Sequence, residues 1–166
     1  MELGMIGLGR MGGNMALRLI QKGHRVVVYD PVAKAVEELV KQGGIGAASI
    51  ANVVEQLSPP RTVWVMVPAG EPTENVINSL SSALSPGDTI IEGGNSNYKD
   101  TMRRAASAQE RGLFFLDAGT SGGIWGLKEG YCLMVGGDKK AFKRAEPFFQ
   151  NLAPAKDKGY GYVGPS

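Results

Sequence analysis

The chain of 166 residues is short of the residues that build disulfide frameworks and metal sites. It has one cysteine, Cys132, and one histidine, His24. A single cysteine forms no internal disulfide, and it fits a reducing cytoplasm. One Cys with one His cannot assemble a structural zinc site, so no metal is expected. Neither sign of charge is in excess: 18 Lys and Arg against 16 Asp and Glu leave a formal net charge of +2. That removes the electrostatic case for nucleic acid or a membrane as partner. No apolar run approaches the ~20 residues of a membrane span. The first strand begins at once, with no charged segment leading into a long apolar one, so no secretory leader is expected.

What the chain has in quantity is glycine, 24 residues. The most telling placement is Gly7-Leu8-Gly9-Arg10-Met11-Gly12. It follows the apolar run at 1–6, which reads as a buried strand. It opens a stretch with Met11, Met15, Ala16, Leu19 and Ile20 at helical spacing. A second apolar run, Val26-Val27-Val28-Tyr29, ends on Asp30, roughly 20 residues on. Strand, glycine turn, helix and acidic residue together form the dinucleotide fingerprint. Gly7 permits the tight turn, Gly9 lets backbone N–H groups approach a pyrophosphate, and Gly12 lets the helix pack close to the strand. The helix N-terminus then offers unpaired donors and partial positive charge to the anion.

The rest of the chain alternates strands and helices. This predicts an α/β, Rossmann-like, doubly wound domain over 1–166, with a mostly parallel sheet and helices on both faces. Predicted strands lie near 45–47, 62–67, 89–91, 113–116, 131–135 and 159–163, the last at an edge. Pro31 starts a second helix; Ser49, Asn97 and Asp138 cap later ones; Pro147 kinks or ends the last. Loops after the strands converge at the carboxyl edge of such a sheet, where ligands collect.

Those loops carry the candidate chemistry. Asp30 either accepts hydrogen bonds from an adenosine ribose or caps the next helix. A carboxylate there repels a 2′-phosphate, so the preference is NAD over NADP, with Lys34 able to soften it. Glu92-Gly93-Gly94-Asn95-Ser96-Asn97 is either a plain turn or a flexible loop whose amides reach a nicotinamide ribose and a polar substrate. Thr120-Ser121-Gly122-Gly123 offers a hydroxyl and bare N–H groups that suit a carboxylate, or is an ordinary glycine loop. Arg103-Arg104 and Lys139-Lys140 read as solvated helix faces. His24 reads as a solvated turn residue and Cys132 as a small core residue. Trp125 either lines the site or packs beside it.

Several of these runs resemble a known family. Residues 7–14, 92–98, 100–104, 119–123 and 123–137 are similar to decarboxylating 6-phosphogluconate dehydrogenase in its short bacterial form, within the β-hydroxyacid dehydrogenase superfamily. The resemblance spans essentially the whole chain. It implies oxidation of the C3 hydroxyl of 6-phosphogluconate by hydride transfer to NAD or NADP, then loss of carbon dioxide to give ribulose 5-phosphate. It implies that Gly7, Leu8, Gly9, Arg10, Met11, Gly12 and Asp30 bind cofactor. Met11, Val67, Pro68 and Ala69 would line the nicotinamide and its ribose. Asn95 would touch both substrate and nicotinamide ribose and share in catalysis, and Ser121, Gly122 and Gly123 would hold the substrate near its carboxylate.

Long forms of the family carry Asn-Arg-Thr after the second strand, where this chain has Tyr29-Asp30-Pro31, which favours NAD. In long forms acidic residues follow Ser-Gly-Gly; here Ile124-Trp125 do. The resemblance places the general-base lysine, its acidic partner and an all-helical dimerisation domain beyond Ser166. The chain is thus expected to be the cofactor domain of a cytoplasmic homo-oligomeric enzyme, inactive by itself. Two rival readings are another β-hydroxyacid dehydrogenase, acting on 3-hydroxyisobutyrate or tartronate semialdehyde, and a non-catalytic dinucleotide-binding module.

Overall fold

A computed structural model describes residues 1–165; Ser166, the last residue of the expected domain, lies outside the described residues. Eight strands form one sheet in the order β3-β2-β1-β4-β5-β6-β7-β8. They are β1 (Glu2–Ile6), β2 (Arg25–Tyr29), β3 (Ile45–Gly46), β4 (Thr62–Val65), β5 (Thr89–Glu92), β6 (Phe114–Ser121), β7 (Cys132–Gly137) and β8 (Tyr160–Gly164). The pairs from β3 across to β6 are all parallel. β7 runs antiparallel to β6, and β8 is parallel to β7 at the edge. Strands such as Thr62–Val65 are buried along their whole length, as a parallel sheet covered on both faces requires.

The helices divide between the faces. α1 (Arg10–Gln21), α2 (Ala33–Val40) and α7 (Lys139–Leu152) cover one side, with Met15, Leu19, Phe148 and Phe149 packed on Leu3, Met5, Val28 and Trp64. α3 (Ile50–Glu55), α4 (Glu71–Ala83) and α5 (Tyr98–Glu110) cover the other, with Val53, Ile77 and Leu80 on Ile6, Val27, Val63 and Val65. The strand order reverses between β1 and β4. The crevice for a ligand therefore opens above their carboxyl ends, where the glycine turn lies.

Three predicted caps form as expected. Ser49 Oγ accepts from Asn52 N, Asn97 Oδ1 from Lys99 N, and Asp138 Oδ1 from Ala141 N. Other expectations need correction. α2 begins at Ala33, beyond Pro31. α7 continues through Pro147, because buried side chains on both sides of it, from Ala141 to Leu152, hold the helix to the sheet. β6 does not stop at Leu116; its ladder with β7 carries it to Ser121. Cys132 is exposed. Leu133 and Val135 take the face under α7, so Cys132 and Met134 alternate onto the opposite face, which is bare there. His24 is half-buried, its ring 5.0 Å from that of Phe148 and tilted to it, and paired with the Asn151 amide at 2.9 Å. Its burial lowers its pKa.

Candidate functional site

The glycine turn is built by close backbone approach. Gly7 has φ 90°, and a side chain there would strike the Met66 carbonyl of the loop after β4. A side chain at Gly12 would collide with the Gly7 carbonyl oxygen. Gly9 differs: a Cβ added there meets nothing within 4 Å. The turn itself does not need Gly9 for packing, and the space beside it is open. α1 starts at this opening with no side-chain cap and no acidic residue in its first turn. Its first amides and positive dipole end are left for an anion.

Asp30 stands at the carboxyl end of β2. Its Oδ2 accepts from Leu8 N at 2.7 Å, and its Oδ1 from Val32 N at 2.8 Å. The residue thus fixes the glycine turn and also makes a turn at the start of α2. A cleft of about 440 Å³ joins Gly7, Gly9 and Asp30 to Val67 and Pro68, with Ile6, Ile50, Pro72 and Val76 as apolar walls. Five expected cofactor residues thereby share one cavity. Leu8 and Arg10 line a second groove, of about 340 Å³, between α1 and α2. Ile50, Pro72 and Val76 escaped the sequence reading; the signal was the apolar spacing of Pro72 and Val76 on one helix face.

Asn95 projects from the loop after β5 and is the one non-glycine residue with positive φ, 59°, among the described residues. Asn is among the few residues besides glycine that visit this region readily, and the loop around it is held. Gly93 N donates to Val65 O at 2.9 Å and Gly94 N to Glu92 Oε1 at 2.7 Å. The segment is a tied loop, not the flexible one expected. Behind it lies a partly buried ionic cluster. Arg104, 3% exposed, donates from Nε to Glu74 Oε2 at 2.9 Å and from Nη1 to Ser96 Oγ at 2.9 Å. Arg103, in contrast, is exposed and bonds both Glu74 oxygens, at 2.9 and 2.7 Å. Hydrogen bonds from Arg103 and then Arg104 hold the Glu74 carboxyl down to a pKa of about 2. The expectation of two solvated arginines fails for Arg104, because its carboxylate partner sits on another helix.

Glu92 is fully buried and lies opposite Asp117 in the β5–β6 ladder. Burial, then the nearby Glu92, raises the Asp117 pKa.

Ser121 ends β6, and Gly122 and Gly123 lead into a short 3-10 turn, Gly123–Trp125. Ser121 and Gly123 are exposed, as is Trp125 at 67%. Arg18 of α1 ties the following α6 (Gly126–Glu129) down, donating to Leu127 O at 3.0 Å and to Ala153 O at 2.9 Å. The helix that starts at the glycine turn therefore also anchors the Ser-Gly-Gly turn. Neither Asn95 nor residues 121–123 line the 440 Å³ cleft; they stand on neighbouring strands along the same carboxyl edge.

Among the described residues, no three His, Cys, Asp or Glu side chains come together as a metal site, and no helix is long and apolar enough to cross a membrane.

The family described as the NAD binding domain of 6-phosphogluconate dehydrogenase matches residues 2–164. An NAD(+)-dependent, decarboxylating 6-phosphogluconate dehydrogenase of Haloferax volcanii is 39% identical over 166 residues, covering 100% of this chain and 54% of the relative. A 6-phosphogluconate dehydrogenase of Plasmodium falciparum, solved apo and with NADP+ and 6-phosphogluconate, superposes with a TM-score of 0.91 at 28% identity. That match covers 100% of this chain and 37% of the other. The 3-hydroxyisobutyrate dehydrogenase of Mycobacterium tuberculosis, solved with L-serine, gives a TM-score of 0.89 at 27% identity, over 99% of this chain and 55% of the other. The chain spans about half the length of the first curated relatives it matches.

Proposed function

The chain belongs to the NAD-binding domain family of 6-phosphogluconate dehydrogenase, and from that premise we propose that it is the cofactor-binding part of an enzyme that oxidises and decarboxylates 6-phosphogluconate. The observation that carries this reading is the pairing of an uncapped α1 N-terminus with open space at Gly9. A pyrophosphate fits there: the donors are backbone amides, and the dipole favours its charge. The adenosine half enters the cleft among Ile50, Pro72 and Val76, with its ribose against Asp30. Met11, Val67, Pro68 and Ala69 hold the nicotinamide end.

When bound, the dinucleotide supplies the hydride acceptor. Asn95 orients the substrate toward it and bonds the nicotinamide ribose. Ser121, Gly122 and Gly123 hold the substrate carboxylate through one hydroxyl and backbone N–H groups. The base that takes the C3 hydroxyl proton, and its acidic partner, come from a further domain through which the complete enzyme pairs as a homo-oligomer. His24 is unsuited as that base, since it precedes β2 at the opposite edge of the sheet and is tied to Asn151. A charged sugar acid does not cross membranes unaided, which puts this enzyme in the cytoplasm. The Gly93-Gly94-Asn95-Ser96 loop favours a sugar acid over 3-hydroxyisobutyrate.

NAD is the preferred cofactor, because Asp30 and Pro31 offer a 2′-phosphate one negative charge and no cation. Calorimetric titration of the chain with NAD and NADP is the test. The expected result is tighter binding of NAD. Tighter NADP would overturn the preference, and binding of neither would overturn the reading. The chain alone should not turn over 6-phosphogluconate, because a missing general base costs about 10²–10⁴-fold. Nicotinamide absorbance at saturating NAD and substrate reads this directly.

A further inference from the structure

We propose that Arg104 is a positioning residue: acting through Ser96, it fixes the Asn95 loop and so sets affinity for the nicotinamide half of the dinucleotide and not for the adenosine half. The inference rests on the reading that Asn95 meets the nicotinamide ribose.

The arrangement of partners argues for more than a helix–helix ion pair. Arg103 alone already joins α5 to α4, through both oxygens of Glu74. Arg104 adds two things that Arg103 cannot reach. Its Nη1 donates to Ser96 Oγ at 2.9 Å, and it lies 3.9 Å from the buried Glu92 Oε2, which has no hydrogen-bond partner of its own. Ser96 belongs to the loop that carries Asn95, and Glu92 ends the strand that leads into it. On its N-terminal side the loop is pinned by the Gly93 and Gly94 amides, and further on by the Asn97 cap. Between those pins stand only Asn95, exposed and in the left-handed region, and Ser96. The Ser96–Arg104 bond is therefore the side-chain tie adjacent to Asn95. Fixed backbone keeps a contact group in place, and a loosened one spends binding energy on ordering itself.

Arg104 is absent from the walls of the cleft assigned to adenosine. Its partner Glu74 lies on α4 between the wall residues Pro72 and Val76, so replacing the arginine disturbs that cleft as well as leaving Glu92 unpaired. Ser96→Ala avoids both, since the ion pairs stay intact.

The experiment titrates the 166-residue chain and its variants with NAD and, separately, with AMP, which carries only the adenosine half. Ser96→Ala should weaken NAD about fivefold, the worth of one lost hydrogen bond. AMP should stay within about twofold of wild type. Ser96→Thr keeps a hydroxyl for Arg104 and should restore NAD affinity. Arg104→Lys, a point charge that cannot fork between Ser96 and Glu74, should lose at least as much NAD affinity as Ser96→Ala. Unchanged NAD affinity in Ser96→Ala, or an equal loss for AMP, overturns the inference. Failure of the underlying reading looks different: wild type then binds neither nucleotide, or Asn95→Ala leaves NAD affinity untouched.

Discussion

The carboxylate of Asp30 and the amide of Leu8 are joined by a 2.7 Å hydrogen bond. This bond runs from the end of β2 into the glycine turn after β1, so the residue proposed to meet the ribose is also a strut of the glycine turn. Affinity and selectivity therefore meet at one side chain, and two substitutions separate them.

Asp30→Ala removes both the strut and the charge. It should weaken NAD by about 1–2 kcal/mol and narrow the preference over NADP. Asp30→Asn keeps one acceptor oxygen, enough for Leu8, and loses the charge and the bond from Val32 N, so it should retain more NAD affinity than Asp30→Ala and raise that for NADP. Titration of both variants with both nucleotides checks the split. Equal effects of Ala and Asn on NAD would refute the strut.

Gly9 and Gly12 should respond in opposite ways. A Cβ at position 9 meets no protein atom within 4 Å, so in Gly9→Val circular dichroism and melting temperature should stay near wild type while nucleotide binding disappears. Gly12→Ala drives a methyl into the Gly7 carbonyl. It should destabilise the fold by about 1–3 kcal/mol or more, read by denaturant titration.

Glu74 makes stability depend on acid. Its pKa is about 2 in the folded chain against an ordinary 4.5. A depressed carboxyl stabilises the fold above the ordinary value and loses that contribution as pH falls from 4.5 toward 2. The gap in melting temperature between wild type and Glu74→Gln should be full at pH 7 and close across that window.

Asp117 has the opposite sign. Burial and Glu92 raise its pKa, so its charged form opposes folding at neutral pH, and the penalty vanishes once the group is protonated in both states. Asp117→Asn should melt higher than wild type at pH 7, with the difference shrinking as pH falls from the raised pKa toward the ordinary aspartate value and gone below it.

Local signals were legible in the sequence. The glycine turn, the alternation of strands and helices, and the Ser49, Asn97 and Asp138 caps each depend on neighbours within a few residues. What stayed hidden depends on distant partners. Arg104 looks like half of a solvated pair until Glu74 arrives from another helix. The carboxyl half of β6 is a strand only because β7 folds back along it. Cys132 is exposed because α5 covers β6 but, among the described residues, no helix covers that face of β7. Pro147 stays inside α7 because residues flanking it are buried against β6, β7, β8 and Trp64 of β4.

The layering of the core also orders events at the ribosome. Once β4 has emerged, β1, β2 and β4 can pair, and α1 can settle beside them. Trp64 and its neighbours still lack the cover that α7 brings, including the Phe149 ring 5.8 Å away. A nascent chain therefore carries an apolar face from the middle of its synthesis until α7 emerges and docks. Such surface invites aggregation and chaperone capture, so α7 is as much a shield for this domain during synthesis as a wall of it once folded.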